Sequence, residues 1–154
     1  MNLKKIMLVA GVSLLLVGCG NSSKNITCTN SFEDENFKSK EEVTISFKDN
    51  KISKTVIKES AENLNSESTD KKLIEVLKTQ YENMYGKYEN VESKISGNDS
   101  DYTITRTVKS KNLTNDDYST IFANNTVLSN VKIEDKNAEK TIKISFEDAG
   151  YICK

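Results

Sequence analysis

Three cysteines, at positions 19, 28 and 153 of a 154-residue chain, restrict the fold more than any other feature of the sequence. Cys28 and Cys153 bracket nearly all of it. If they are joined, the first and last folded segments must lie side by side. Whether they are free to join depends on how Cys19 is used.

Cys19 stands at the end of an apolar stretch. Met1 to Lys5 is a positive start, and Ile6 to Val17 follows as 12 mainly apolar residues. That length is too short to span a bilayer and suits the core of a signal peptide. The stretch closes with "LLLVGCG", residues 14–20, where Leu16-Val17-Gly18-Cys19 resembles the bacterial lipobox. Lipidation before cleavage needs a nucleophilic sulfur at the cut and small residues just upstream, and Cys19 and Gly18 supply them. The expectation is a signal peptide over 1–18, a lipidated Cys19 opening a flexible tether over 19–25, and a single domain over 26–154. One acyl chain binds a membrane only marginally, whereas the two of a diacylglyceryl cysteine, palmitate-like in length, hold it stably. The chain is then expected on the extracytoplasmic face of the cell membrane, with the membrane as a partner through the anchor.

With Cys19 committed to lipid, Cys28 and Cys153 form an even pair in a compartment that permits disulfides. Domain termini commonly lie close together, so the two are expected to bridge rather than stay as free thiols. The closed loop of about 125 residues would contribute roughly 4–5 kcal/mol in the chain-entropy account. A metal site is disfavoured, because the chain has no histidine and no close cysteine pair.

Removing residues 1–18 from the 154 takes Lys4 and Lys5 from the 22 basic residues, leaving 20 against 23 acids. The 136 residues left of 154 suit one domain with an adequate core. A mildly acidic, well-mixed surface argues against nucleic acid, which calls for a basic stripe. Without histidine there is no Ser-His or Cys-His nucleophile and no histidine-ligated zinc. Only six glycines occur, none in a phosphate-cradling loop. "DNK" and "NDSD" lack the spaced ligands of a calcium loop. No catalytic residue, metal or cofactor is assigned. Acidic runs such as Glu33-Asp34-Glu35 and Glu41-Glu42 resemble a glycosidase pair only superficially and are read as solvated.

Strand periodicity opens the domain. Ile26 to Phe32 forms a first, weaker strand, and Val43, Ile45 and Phe47 alternate with polar neighbours as a half-buried one. Lys48-Asp49-Asn50-Lys51 makes a turn tolerant of positive φ before a return strand over 52–58. Residues 60–69 read as a polar connector. A helix follows, with Leu73, Val76, Leu77, Tyr81, Met84, Tyr85 and Tyr88 on one stripe. Ser68 or Thr69 is its expected cap, and Gly86 weakens its last turn. The Tyr81-Tyr85-Tyr88 row fits either a sugar-stacking platform or core, and core is the expectation. A second hairpin spans 91–95 and 101–110 around Gly97-Asn98-Asp99. Thr114 to Asp117 caps a short helix carrying Tyr118, Ile121 and Phe122. The segment 137–149 fits a strand or a helix, and the helix is preferred because Gly150 stands just past its end. The sum is an α+β domain, a mainly antiparallel sheet of two hairpins with one long helix and one or two shorter ones packed on it.

Arg106 is the sole arginine, and it falls on the apolar row of its strand between Ile104 and Val108. As a candidate anion contact it would use its planar fork of donors. As a structural residue it would lie against an acid or reach solvent at the sheet margin, and Arg106→Lys would then cost no more than about 1 kcal/mol. The structural role is the expectation.

The lipobox, the hairpin "SFKDNKISKTVIKES", the stretch "YENVESKISGNDSDYTITRTVKSKNLTNDDYSTI" and the closing "EDAGYICK" together resemble the YehR-like family of small bacterial lipoproteins. The resemblance implies an α+β envelope lipoprotein of unknown function and brings no catalytic residues with it. The leading reading is a non-enzymatic binding or interaction module of the cell envelope, its partner an envelope protein or a small ligand. The alternative is a small wall-active hydrolase or an inhibitor of a secreted enzyme. A cavity joining carboxylates of raised pKa would favour catalysis, and a protruding loop without a cavity would favour inhibition.

Overall fold

The computed structural model describes residues 24–135 and 138–154. The expectations for the signal peptide and for Cys19 lie outside these residues. Lys24 and Asn25, expected in the tether, are already strand, paired with Phe47 and Ser46.

Six strands make one antiparallel sheet: β1 (Lys24–Glu33), β2 (Phe37–Lys48), β3 (Lys51–Asn63), β4 (Val91–Gly97), β5 (Asp101–Lys109) and β6 (Ile152–Cys153). Their spatial order is β4-β5-β3-β2-β1-β6. The sheet is therefore larger than the two hairpins read from sequence. β1 to β3 form a meander, β5 joins β3, and β6 closes the outer edge of β1. Asp49 and Asn50 both take positive φ, at 52° and 61°. That is the twist a two-residue hairpin loop requires, and Asp and Asn tolerate it. An extra residue, Ser53, sits opposite the Ser46/Phe47 step, and its hydroxyl donates to the Ser46 carbonyl. The bulge keeps the apolar rows of β2 and β3 on one face.

Helices α1 (Lys72–Tyr85), α2 (Asn115–Ile121) and α3 (Ala138–Asp148) accompany the sheet. The main core joins Val43, Ile45, Phe47, Ile57 and Val108 to Tyr118, Phe122, Ile142 and Phe146. A smaller cluster of Ile74, Ile95 and Ile104 seats α1 on β4 and β5, with Tyr81 touching both cores. The inward stripe of α1 differs from the expected one. Ile74 is buried, while Val76 and Met84 are 52% and 46% exposed.

Helix ends follow local chemistry except in α1. Thr114 and Asp117 form a reciprocal capping box on α2. α3 ends in a Schellman motif. Gly150 at φ +88° donates to Glu147, Tyr151 donates to Phe146, and the two rings meet edge-on at 4.9 Å. Neither Ser68 nor Thr69 caps α1. The Leu73 amide instead donates to Asp99 Oδ1, 2.9 Å away in the β4–β5 loop. That loop is tight, since Asn98 Oδ1 accepts from the amides of Ser100 and Asp101. A Cβ on Gly97 would stand 2.1 Å from the Asp101 carbonyl oxygen.

Cys28 and Cys153 are directly opposed across β1 and β6 and are joined by a disulfide, with Cα atoms 4.1 Å apart. No helix among the described residues is long and apolar enough to cross a membrane.

Candidate functional site

β2 and β3 stay paired as far as Phe37 and Asn63. Alternation along β2 places Phe37, Ser39 and Glu41 on the same face as Val43, Ile45 and Phe47, and along β3 it places Glu59 and Ala61 with Thr55 and Ile57. Register brings Glu41 directly opposite Glu59. Tyr102 joins them from β5, opposite Ala61. These residues line a cavity of about 260 Å³ at this end of the sheet. Phe32 and Phe37 remain 56% and 38% exposed beside it.

The two carboxylates have different surroundings. Asn125 Nδ2 donates to Glu41 Oε1 at 3.1 Å. The Tyr151 hydroxyl also faces Glu41, and burial first, then the Glu41 charge and a hydrogen bond to it, push its pKa well up. Glu59 accepts no hydrogen bond from a described residue. Burial lifts its carboxyl above the ordinary value and Glu41 adds to the rise, while the Arg106 guanidinium opposes it. Tyr81 is pushed up to about 12, by burial and then by the Glu59 charge. Glu42, one residue on, faces the opposite side of the sheet and pairs with Lys40 at 3.2 Å. The run Glu41-Glu42 is thus divided between a lined cavity and open solvent.

Arg106 sits deeper, opposite Ile57 on β3 and Ser93 on β4. It is 6% exposed. Neither structural environment expected for it is found. Among the described residues its guanidinium makes no ion pair with a carboxylate, and it does not reach a sheet margin. It lies 4.9 Å from the Tyr85 ring centroid and 5.2 Å from that of Phe122. Nη1 donates to the Tyr85 hydroxyl and, at 3.5 Å, to the Ile121 carbonyl, while Nε has no partner. Strand periodicity put Arg106 on the apolar row, and its enclosure comes from α1 and the end of α2, which no local signal announces. Tyr85 is buried and Tyr81 and Tyr88 half-buried, so the tyrosine row packs against the core.

A larger cavity of about 360 Å³ lies between α1 and β4, touching Tyr81, Tyr85 and Ser93. Its remaining polar groups, Lys78, Glu82 and Lys94, are exposed surface side chains. The Tyr85 hydroxyl is already engaged by Arg106. The smaller cavity is the better candidate because its polar groups converge and are half-buried.

No family model matches the chain, and no curated protein matches it. A solved NMR structure of a protein from Streptococcus pneumoniae TIGR4 is similar in fold, with a TM-score of 0.60 over 100% of this chain and 98% of that one, at 15% identity. At that identity the likeness concerns the fold alone.

Proposed function

We propose that the chain is an envelope lipoprotein, anchored through Cys19 and akin to the YehR-like lipoproteins, whose domain is a non-enzymatic binding module. The cavity over Glu41, Glu59, Ala61 and Tyr102 carries this reading. The chain enters β1 at Lys24, beside Phe47, and Glu41 lies six residues further along β2. At about 3.3 Å per residue the cavity stands roughly 20 Å along the sheet from the point of entry. A domain tethered there would hold its cavity away from the bilayer. Two experiments test the reading. Cells fed a labelled fatty acid should label the wild type and not Cys19→Ala. Wild-type protein should capture an envelope component that a Tyr102→Ala variant does not. Label on the alanine variant, or identical capture by both proteins, would refute the corresponding half.

A second reading, a small wall-active hydrolase, is favoured by one observation: the cavity joins two carboxylates and one has a raised pKa. Directly opposed residues on neighbouring strands have Cβ atoms about 4.5–5.5 Å apart, and retaining glycosidases hold their carboxyl groups at about 5–5.5 Å. Against it, both carboxylates rise side by side from one sheet face, whereas such enzymes flank the scissile bond. The cavity of about 260 Å³ is also smaller than most small-molecule sites. Release of reducing ends from wall glycan by the wild type, lost in Glu59→Gln, would establish the hydrolase instead.

A further inference from the structure

We propose that the Glu41–Glu59 cavity receives a primary ammonium group carried on a short aliphatic stem, an inference that rests on the binding-module reading. Charge sets the sign of the ligand. Two carboxylates face the cavity against one neighbouring cation, Arg106, which sits deeper and donates to the Tyr85 hydroxyl and the Ile121 carbonyl. The one lysine at the cavity, Lys40, is paired with Glu42 on the opposite face. A single positive charge therefore restores neutrality, and an anion is repelled.

Donor geometry narrows the class. An ammonium offers three tetrahedral donors. Glu41 already accepts from Asn125 and faces the Tyr151 hydroxyl, whereas both Glu59 oxygens accept no hydrogen bond from a described residue, and Ser39 adds a hydroxyl in the same lining. Among the described residues no group of three or more acidic, cysteine or histidine ligands exists to hold a metal ion. A divalent cation, which takes six or more hard ligands, is poorly served.

Beside these polar groups and Lys40 and Ser60, the lining has an apolar part. Phe37, Ala61 and the Tyr102 ring flank the carboxylates, matching a stem of several methylenes. At about 30 Å³ per water, a volume of 260 Å³ is on the order of nine waters, ample for an amine of five or six heavy atoms. Glu62 and Asp101 lie opposite each other at the same end of the sheet, while Glu33 there is paired with Lys38 at 3.3 Å. The directly opposed carboxylates also repel each other, and a cation held between them relieves that repulsion.

The ammonium has two sources, a free amine or a lysine side chain, and the test separates them. The full chain in mild detergent is titrated with n-butylammonium, Nα-acetyl-lysine N-methylamide, 1-butanol and butyrate, following backbone amides by NMR. Saturable shifts at Glu41, Glu59, Ser60 and Tyr102 are expected with both ammonium probes and with neither butanol nor butyrate. Tighter binding of the capped lysine identifies a peptide source, and equal binding a free amine. Glu41→Gln and Glu59→Gln should each weaken binding about tenfold, the scale of one charge-assisted hydrogen bond, while Glu92→Gln on β4, where Glu92 pairs with Lys109 away from the cavity, changes nothing. Saturation by butanol or butyrate alone would overturn the ammonium assignment and leave the binding module standing. No saturable shift with any probe would overturn both.

Discussion

Replacing Arg106 by lysine tests whether the enclosed guanidinium holds the sheet to its helices. The side chain ties β5 to the Tyr85 hydroxyl of α1 and to the Ile121 carbonyl of α2, and its plane lies near two aromatic rings. A lysine ammonium keeps a charge in the same enclosure and has no planar fork, so it can satisfy one of the two acceptors. A lost hydrogen bond from a charged donor costs about 1.5–3 kcal/mol, and the weakened ring contacts about 0.5–1 kcal/mol more. Arg106→Lys should therefore cost about 2–4 kcal/mol, well above the 1 kcal/mol expected of a surface arginine. Urea titration is the assay. With an m-value of about 2 kcal/mol/M, the midpoint should fall by about 1–2 M with the slope unchanged. Arg106→Met should cost less than Arg106→Lys, because no ammonium is then left in the enclosure. In a double-mutant cycle with Tyr85→Phe, the coupling should exceed about 1 kcal/mol. A cost of Arg106→Lys below about 1 kcal/mol, or a Met variant less stable than the Lys variant, would refute the reasoning.

Reduction of Cys28–Cys153 should lower stability by roughly 5 kcal/mol, the chain-entropy value for so long a loop. Alkylation and intact mass should find both thiols blocked before reduction and free after it. Asp99→Ala removes the acceptor of the Leu73 amide and should cost about 0.5–2 kcal/mol, again read by urea titration. Glu59→Gln should stabilise the domain near neutral pH. The folded state raises the Glu59 pKa above 4.5, so the native protein holds that proton after the unfolded chain has released it. Stability therefore falls as pH rises from the unfolded to the folded value, and the glutamine variant should lack that fall in thermal melts across the acid range.

What the sequence made legible were features written in neighbouring residues. Val43, Ile45 and Phe47 announce β2, Asp49-Asn50 its turn, Thr114 and Asp117 the start of α2, and Gly150 the end of α3. What it hid depends on partners far along the chain. The α1 cap is one case, because Asp99 arrives from a loop 26 residues later than the amide it accepts. The Glu41–Glu59 pair is another. Counting back by twos from Val43 puts Glu41 on the buried row, and counting on from Ile57 does the same for Glu59. Their meeting, however, depends on the register of β2 with β3, and the extra Ser53 in β3 shifts that register. Read without it, Glu41 is one more acid in a polar stretch. Arg106 was visible as an oddity, but the rings around it belong to α1 and to the end of α2.

The neighbourhood of β1 and β6 imposes an order of assembly on a chain that emerges N-terminus first. β1 can pair with β2 and β2 with β3 as soon as those residues are out, since their contacts are local and loop closure is cheap. The outer edge of β1 has to wait. Thr27 exchanges both backbone hydrogen bonds with Lys154, and Cys28 meets its partner across a separation of 125 residues. Until residues 151–154 arrive, that edge presents unpaired amides and carbonyls, a template for any passing strand. Residues 151–154 are thus the seam, and a chain without them would hold most of its sheet yet remain open to pulling, cutting and mispairing along one side.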